Sequence, residues 1–190
     1  VTDTIILKFF AEYIEKHLGI VYTDANYFQL EHRLRDISHQ LGLKDVPELY
    51  SKAQVSIEGA FKALLLDLAT NNETSFYRDS QVFTALGKFI IPDLLRKFNN
   101  PASINIWSAA ASSGQEVYTI AMELETMRKD IPGFPQTTIF ATDISDTILK
   151  RAQAGIYSQL EVQRGLPARQ LADYFDPIEK DQWQVKDFIK

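Results

Sequence analysis

Ile104-Asn105-Ile106-Trp107-Ser108-Ala109-Ala110-Ala111-Ser112-Ser113-Gly114-Gln115-Glu116 decides how this chain of 190 residues is read. Ile104 to Trp107 reads as a short buried strand. A run of small residues follows, ending at Gly114. From Gln115 to about Arg128 the spacing predicts a helix with Val117, Ile120, Ala121, Leu124 and Met127 on one face. Past the loop Pro132-Gly133-Phe134-Pro135, Thr138-Ile139-Phe140-Ala141-Thr142 reads as a second strand that ends at Asp143. Ser145 is placed to cap a helix running through Ala154, and Gly155 to close it. Strand, small-residue loop, helix, strand, acid is the opening of a parallel α/β nucleotide-binding sheet.

Upstream of this stretch the hydrophobic period is helical. Ile5, Ile6, Phe9, Phe10, Tyr13, Ile14 and Leu18 form one stripe, closed by Gly19. Tyr27, Leu30, Leu34, Ile37 and Leu41 form a second, bounded by Asp24 and Gly42. Asp45 before Pro47 and Glu48 resembles a capping box with proline in the first turn. Ile57, Ala60, Phe61, Leu64, Leu65, Leu68 and Ala69 make a fourth helical stripe. These stripes are core. The period changes after Asn99-Asn100-Pro101, so the chain divides into a helical domain over 1–70, linking helices over 71–100 and an α/β part over 101–190. The expected class is therefore α/β: an all-helical N-terminal domain followed by the first part of a Rossmann-like sheet.

Composition narrows the chemistry. With 45% hydrophobic and 12% aromatic residues the chain fills a core, and disorder is excluded as the dominant state. The absence of cysteine removes thiol nucleophiles, redox CxxC motifs and cysteine zinc sites. His32 and His39 stand on one helix face, too far apart to chelate one ion, and no metal site is expected. A net charge of −5 argues against a general nucleic-acid binder. No apolar run reaches a membrane span, and charges interrupt the first eighteen residues, so neither a membrane insertion nor a signal peptide is expected and the cytoplasm is the default location.

A tight turn of small residues lets a ligand approach the backbone at the start of the next helix. An acid at the tip of the second strand is placed to accept hydrogen bonds from two ribose hydroxyls, and Asp143 has that position. The loop carries one glycine rather than GxGxxG, and Glu116 just behind it would repel a diphosphate. A nicotinamide-dependent oxidoreductase is therefore disfavoured. A ribose-bearing, phosphate-free, cationic ligand points to S-adenosylmethionine. Both acids also have plain structural readings, Asp143 as a helix-capping or strand-end group and Glu116 as a first-turn glutamate. A second polar cluster, Asn71-Asn72-Glu73-Thr74-Ser75-Phe76-Tyr77-Arg78-Asp79, reads either as a capped loop or as a wall over the cofactor, with Arg78 placed to meet a carboxylate.

At NNETSFYRD (71–79), IWSAAASSGQEVYTIAM (106–122) and FATDISDTILKRAQAGIY (140–157) the sequence resembles the CheR-type chemotaxis methyltransferases, with LPARQLADYF (166–175) fitting the stretch that follows. The N-terminal helical part matches more loosely, through Gly19-Ile20, Arg33-Leu34 and Leu41-Gly42-Leu43. The resemblance implies S-adenosylmethionine-dependent methylation of glutamates on chemoreceptors, leaving S-adenosylhomocysteine. It also implies a methyltransferase domain over 101–190 that ends at the start of a β insert. Carried over by motif, cofactor residues fall on Asn72, Thr74, Arg78, Ala110, Glu116 and Asp143. Asp143 is expected to hold the ribose hydroxyls, and Glu116 the methionine ammonium or the cationic end generally. Asn72 and Thr74 are expected to position the cofactor. Arg78 is also the catalytic candidate, by binding the methionine carboxylate or steering the incoming glutamate carboxylate. The reaction explains why no nucleophilic side chain is needed: the substrate carboxylate is ionised at neutral pH and attacks a sulfonium methyl in line, and no proton moves.

Departures from the family pattern are informative. Gly114-Gln115-Glu116-Val117-Tyr118-Thr119 stands where the family usually reads GEEPYS, and Ala111 where many members have cysteine. In the family an arginine-rich helix face meets the cytoplasmic helices of the receptor. Here the helix after Tyr27 keeps Arg33 and Arg35 as candidates for that contact, and a solvated face is the plain alternative. Family members run on beyond the point matching Lys190. The expectation is that these residues are the N-terminal two-thirds of such an enzyme, inactive alone and prone to dimerise or exchange strands through an incomplete sheet. The alternative is a non-catalytic module that binds S-adenosylmethionine or S-adenosylhomocysteine, or a signalling partner.

Overall fold

The structure, a computed structural model, describes residues 2–190. It falls into two compact units that divide between Asn71 and Asn72. The first contains α1 (Thr4–Leu18), α2 (Tyr27–Gln40), α3 (Val46–Val55) and α4 (Gly59–Ala69). Helix ends follow from local chemistry. The Asp3 carboxylate accepts the Ile5 N–H at 2.9 Å to start α1, and Gly19, at φ +68°, ends it in the left-handed region. Asp45 accepts the Glu48 N–H at 3.0 Å with Pro47 in the first turn of α3. Glu48 reaches back one residue further than a capping box does, accepting the Lys44 N–H at 2.7 Å. The second helix starts after Asn26, not at Asp24, because the Asn26 side chain folds back to accept the Thr23 N–H. The apolar stripes converge, and Phe10, Ile14, Leu30, Leu34, Ile37, Leu49 and Leu65 are buried. Each such side chain stabilises the unit by about 1.5–3 kcal/mol.

The second unit opens with the Asn72–Asp79 loop and a helix in three pieces: α5 (Ser80–Ala85), a π turn over Leu86–Ile90 and α6 (Ile91–Lys97). The Ile91 N–H reaches the Leu86 carbonyl five residues back. Pro92 follows without an N–H to continue the regular ladder, which accounts for the wider turn. Then come β1 (Ser103–Ala109), α7 (Gln115–Asp130), β2 (Gln136–Thr142) and α8 (Asp146–Ala154). The two strands pair in parallel, with Ile106 beside Ile139 and Trp107 beside Phe140. Alternation sends successive residues to opposite faces. Ile104, Ile106 and Ile139 join Ile91 and Leu95 of α6 and Leu124 and Met127 of α7 in one core cluster. Trp107 and Phe140 stand on the other face, 71% and 56% exposed.

The remainder forms β3 (Ile156–Ser158), α9 (Gln159–Gln163), α10 (Ala168–Tyr174), β4 (Phe175–Glu179) and β5 (Gln182–Val185). The three strands make an antiparallel sheet in the order β3-β5-β4. Ile156–Ser158 pairs with β5, so this sheet draws in a strand that precedes α9 in the chain. Phe76 from the loop before α5 packs edge-on against Tyr157 and Phe175, at 5.0 and 5.6 Å between ring centres. Among the described residues no helix is long and apolar enough to cross a membrane.

Candidate functional site

Three stretches distant in sequence meet at Ser112. Its backbone N–H donates to Asp143 Oδ2 at 2.8 Å, and its hydroxyl donates to the Asn72 carbonyl at 2.7 Å. The second Asp143 oxygen accepts the Ser145 N–H at 3.0 Å. Asp143 thus ties the loop after β1 to the start of α8, at the carboxyl ends of both strands, where open α/β sheets bind ligands. Each carboxylate oxygen accepts two hydrogen bonds, so both retain capacity for a pair of ribose hydroxyls.

The loop achieves its turn without a glycine-rich sequence. Ala110, Ser112 and Gly114 have φ of +58°, +51° and +93°, so two of the three left-handed positions are held by residues with a Cβ. Gly114 does not open space for a ligand. A Cβ there would lie 2.9 Å from the Ala152 Cβ and 3.1 Å from the Tyr157 hydroxyl, so its role is close packing against α8 and β3. The loop amides are largely engaged within the protein: Ala111 N–H to Thr142, Ser112 N–H to Asp143 and Gly114 N–H to Ala111. That arrangement offers little to a diphosphate, which needs several converging N–H groups.

Glu116, exposed in the first turn of α7, is oriented by the buried Ser108, whose hydroxyl donates to Glu116 Oε1 at 2.9 Å. Arg78 is exposed and donates from Nη1 to the Glu73 carbonyl at 2.9 Å. Asn72 and Thr74 are half-buried beside it in sequence, and Ala110 is exposed. Tyr77, at φ +49°, anchors this loop to α7 by donating from its hydroxyl to Glu123 at 2.9 Å. Burial and the Glu123 charge push the Tyr77 phenol far up. The Tyr157 hydroxyl is buried, donates to the Ser113 carbonyl at 2.7 Å and is likewise pushed up by burial.

The donor set fits an S-adenosylmethionine-like molecule: a strand-end acid with spare acceptor capacity, a second acid for a cation, and an arginine for a carboxylate. Contacts in the structure link Asn72, Ser112 and Asp143 directly. Glu116 follows the same loop, and Arg78 folds back on the Asn72–Asp79 loop. Arg33 and Arg35 belong to the other unit. Arg33 donates to the Tyr22 hydroxyl at 2.7 Å and the Ala69 carbonyl at 2.5 Å, holding the end of α4. Arg35 pairs with Glu31 at 2.6 Å. Ser112 and Ser108 escaped sequence reasoning, because a serine in a small-residue run gives no signal of the partners it reaches. A cavity of about 470 Å³ between α7, β2 and α8 is lined by Val117, Ala121, Leu124, Ile139 and Leu149 and includes none of the candidate residues. It is a separate hollow, with Glu125, Arg128, Gln153 and Lys190 also in its lining.

Comparison with known proteins shows the family. Residues 72–190 match the family described as CheR methyltransferase, SAM binding domain. Over 192 residues the chain is 34% identical to chemotaxis protein methyltransferase Cher2 of Pseudomonas putida, covering 100% of this chain and 69% of that protein. It is 35% identical over 185 residues to chemotaxis protein methyltransferase 1 of Pseudomonas aeruginosa, covering 96% and 67%. To chemotaxis protein methyltransferase 1 of Vibrio cholerae it is 33% identical over 182 residues, covering 95% and 65%. The chain spans about two thirds of the length of these relatives.

Proposed function

This chain belongs to the CheR methyltransferase family, and from that membership we propose that it transfers a methyl group from S-adenosylmethionine to glutamate side chains of chemotaxis receptors. The junction at Ser112, where the Asn72 loop, the β1–α7 loop and Asp143 are hydrogen-bonded together, is the observation that supports it. S-adenosylmethionine, when bound, supplies an electrophilic methyl on a sulfonium and is converted to a neutral sulfide.

The protein's own residues have positioning tasks. Asp143 accepts the ribose hydroxyls, with its carboxylate fixed by the Ser112 and Ser145 amides. Glu116, aligned by Ser108, faces the ammonium end. Asn72, Thr74 and the Ala110 backbone border the cofactor. Arg78 offers a guanidinium to a carboxylate, of the methionine moiety or of the substrate glutamate. No group has to move a proton, because the attacking glutamate is already an anion near neutral pH. Alignment of the two partners is the main contribution, a term that reaches about 7–11 kcal/mol in well-oriented systems.

On this reading the partner is a cytoplasmic receptor helix and the protein works in the cytoplasm. Arg33 and Arg35 are the proposed contacts to that helix, with Arg35 the more open of the two. The exposed Trp107 and Phe140 support self-association through the sheet, which sedimentation velocity tests. The function is tested by calorimetry with S-adenosylhomocysteine together with a labelled methyl-transfer assay on a receptor fragment. Binding that is lost in Asp143→Ala supports the cofactor site. Binding without methyl transfer favours a non-catalytic module instead, and no binding by the intact chain overturns the cofactor reading.

A further inference from the structure

The geometry points to Arg164 as a positioning residue for Arg78: it holds the Glu73 carboxylate, so that the Arg78 guanidinium keeps its charge for a ligand carboxylate. Arg164 caps the end of α9, and its Nη2 lies 2.5 Å from Glu73 Oε1 across 91 residues of sequence. Glu73 stands between Asn72 and Thr74. Its side chain goes to Arg164, whereas its backbone carbonyl accepts from Arg78 at 2.9 Å. The hydrogen bond from Arg164, then the charges of Arg164 and Arg78, hold the Glu73 carboxyl below its ordinary pKa, so it is an anion near both guanidiniums. A guanidinium has five N–H donors, and Arg78, which feels the Glu73 charge only at a distance while donating to its neutral carbonyl, is oriented without spending its donors on a carboxylate. Were the Glu73 carboxylate to turn to Arg78, it would compete with the ligand carboxylate for those donors.

The next residue reinforces the contact. Gly165, at φ +99°, packs against the backbone of Phe76, and a Cβ there would stand 2.0 Å from the Phe76 carbonyl oxygen. Two consecutive residues, Arg164 and Gly165, therefore touch the loop on either side of Thr74. The Arg164 and Glu73 side chains are 61% and 49% exposed. An ion pair so exposed contributes little to stability, which separates its effect on placement from any effect on folding.

The inference rests on the proposed role of Arg78, and the experiment keeps the two apart. S-adenosylhomocysteine affinity and the KM for a receptor fragment are measured on the full chain and on Arg78→Ala, Arg164→Ala, Arg164→Lys and the double variant Arg164→Ala/Glu73→Gln, each with a thermal melt. Arg78→Ala and Arg164→Ala are expected to weaken the same one of these two readouts, roughly tenfold for Arg78→Ala. The double variant is expected to recover most of the loss, because the competing carboxylate is gone, and Arg164→Lys is expected to fall between Arg164→Ala and the unmodified chain. A merely structural role for Arg164 predicts no recovery. The inference is overturned if Arg164→Ala matches the unmodified chain while Arg78→Ala is impaired, or if the double variant is as impaired as Arg164→Ala. If Arg78→Ala itself leaves both readouts unchanged, the role of Arg78 fails first.

Discussion

The Ser112 backbone N–H and Asp143 Oδ2, separated by 31 residues in sequence, are 2.8 Å apart. Asp143 therefore fixes the loop, besides the ribose contact proposed for it. Asp143→Ala removes both roles. Hydrogen bonds to charged groups contribute about 1.5–3 kcal/mol, so S-adenosylhomocysteine affinity is expected to fall roughly tenfold to a hundredfold or more. Isothermal calorimetry checks this, and a change below about twofold would contradict the assigned role.

The loop backbone makes two opposite predictions. Ala110 is exposed at φ +58°, where a Cβ costs about 1–2 kcal/mol and glycine about 0.5–1 in entropy. Ala110→Gly should be neutral or stabilising by up to about 1 kcal/mol. Gly114→Ala meets Ala152 and Tyr157 in addition to an unfavourable φ, and should cost about 2–4 kcal/mol. Urea denaturation midpoints compare the pair; a Gly114→Ala midpoint equal to that of the unmodified chain would refute the packing role.

Glu31 gives a pH signature. Hydrogen bonds from the Thr2 hydroxyl and backbone, with a contribution from Arg35, lower its carboxyl from 4.5 to about 2. Below 4.5 the unfolded chain binds this proton while the folded one does not. The stabilisation is therefore complete above about 4.5 and disappears as pH falls towards about 2. The stability difference between the unmodified chain and Glu31→Gln should be nearly constant from pH 7 to 5 and shrink steadily as pH falls towards about 2. A difference that does not vary with pH would remove the Thr2 hydrogen bonds and the Arg35 contribution from the account.

Tyr157 and Tyr77 should stay protonated in the folded protein at pH values where exposed phenols, near 10, have ionised. An ultraviolet titration reads this as missing phenolate absorbance that returns on unfolding. Tyr157→Phe leaves the Ser113 carbonyl without its donor and should lower stability by about 1–3 kcal/mol.

Sequence reading reached the strand–loop–helix–strand frame because the hydrophobic period changes abruptly after Pro101 and the strands end at distinctive residues. Thr142-Asp143 marks a strand tip, whose acid the pattern already reads as a ribose acceptor, and the resemblance adds the methyltransferase family. The contacts that organise the site were illegible for a physical reason. Ser112 acts through a main-chain N–H and a hydroxyl, groups with no preferred sequence partner, and its two contacts lie 31 and 40 residues away. Ile156–Ser158 is too short for a periodicity to register, so the third strand of the small sheet was hidden. Asp24 and Asn26 are both good cap residues, and the sequence could not tell which of them the chain turns at.

The boundary at Asn71 has a practical corollary. Every hydrogen bond at the Ser112 junction, and the whole Glu73–Arg78–Arg164 relay, is made by residues after it. The helices before it are held by their own core, with Arg33 bonded to Tyr22 and Ala69 and Arg35 to Glu31. The two blocks are thus natural units for chimeras: on the proposed function, exchanging the leading helices between relatives leaves the Ser112 junction and the Glu73–Arg164 pair intact.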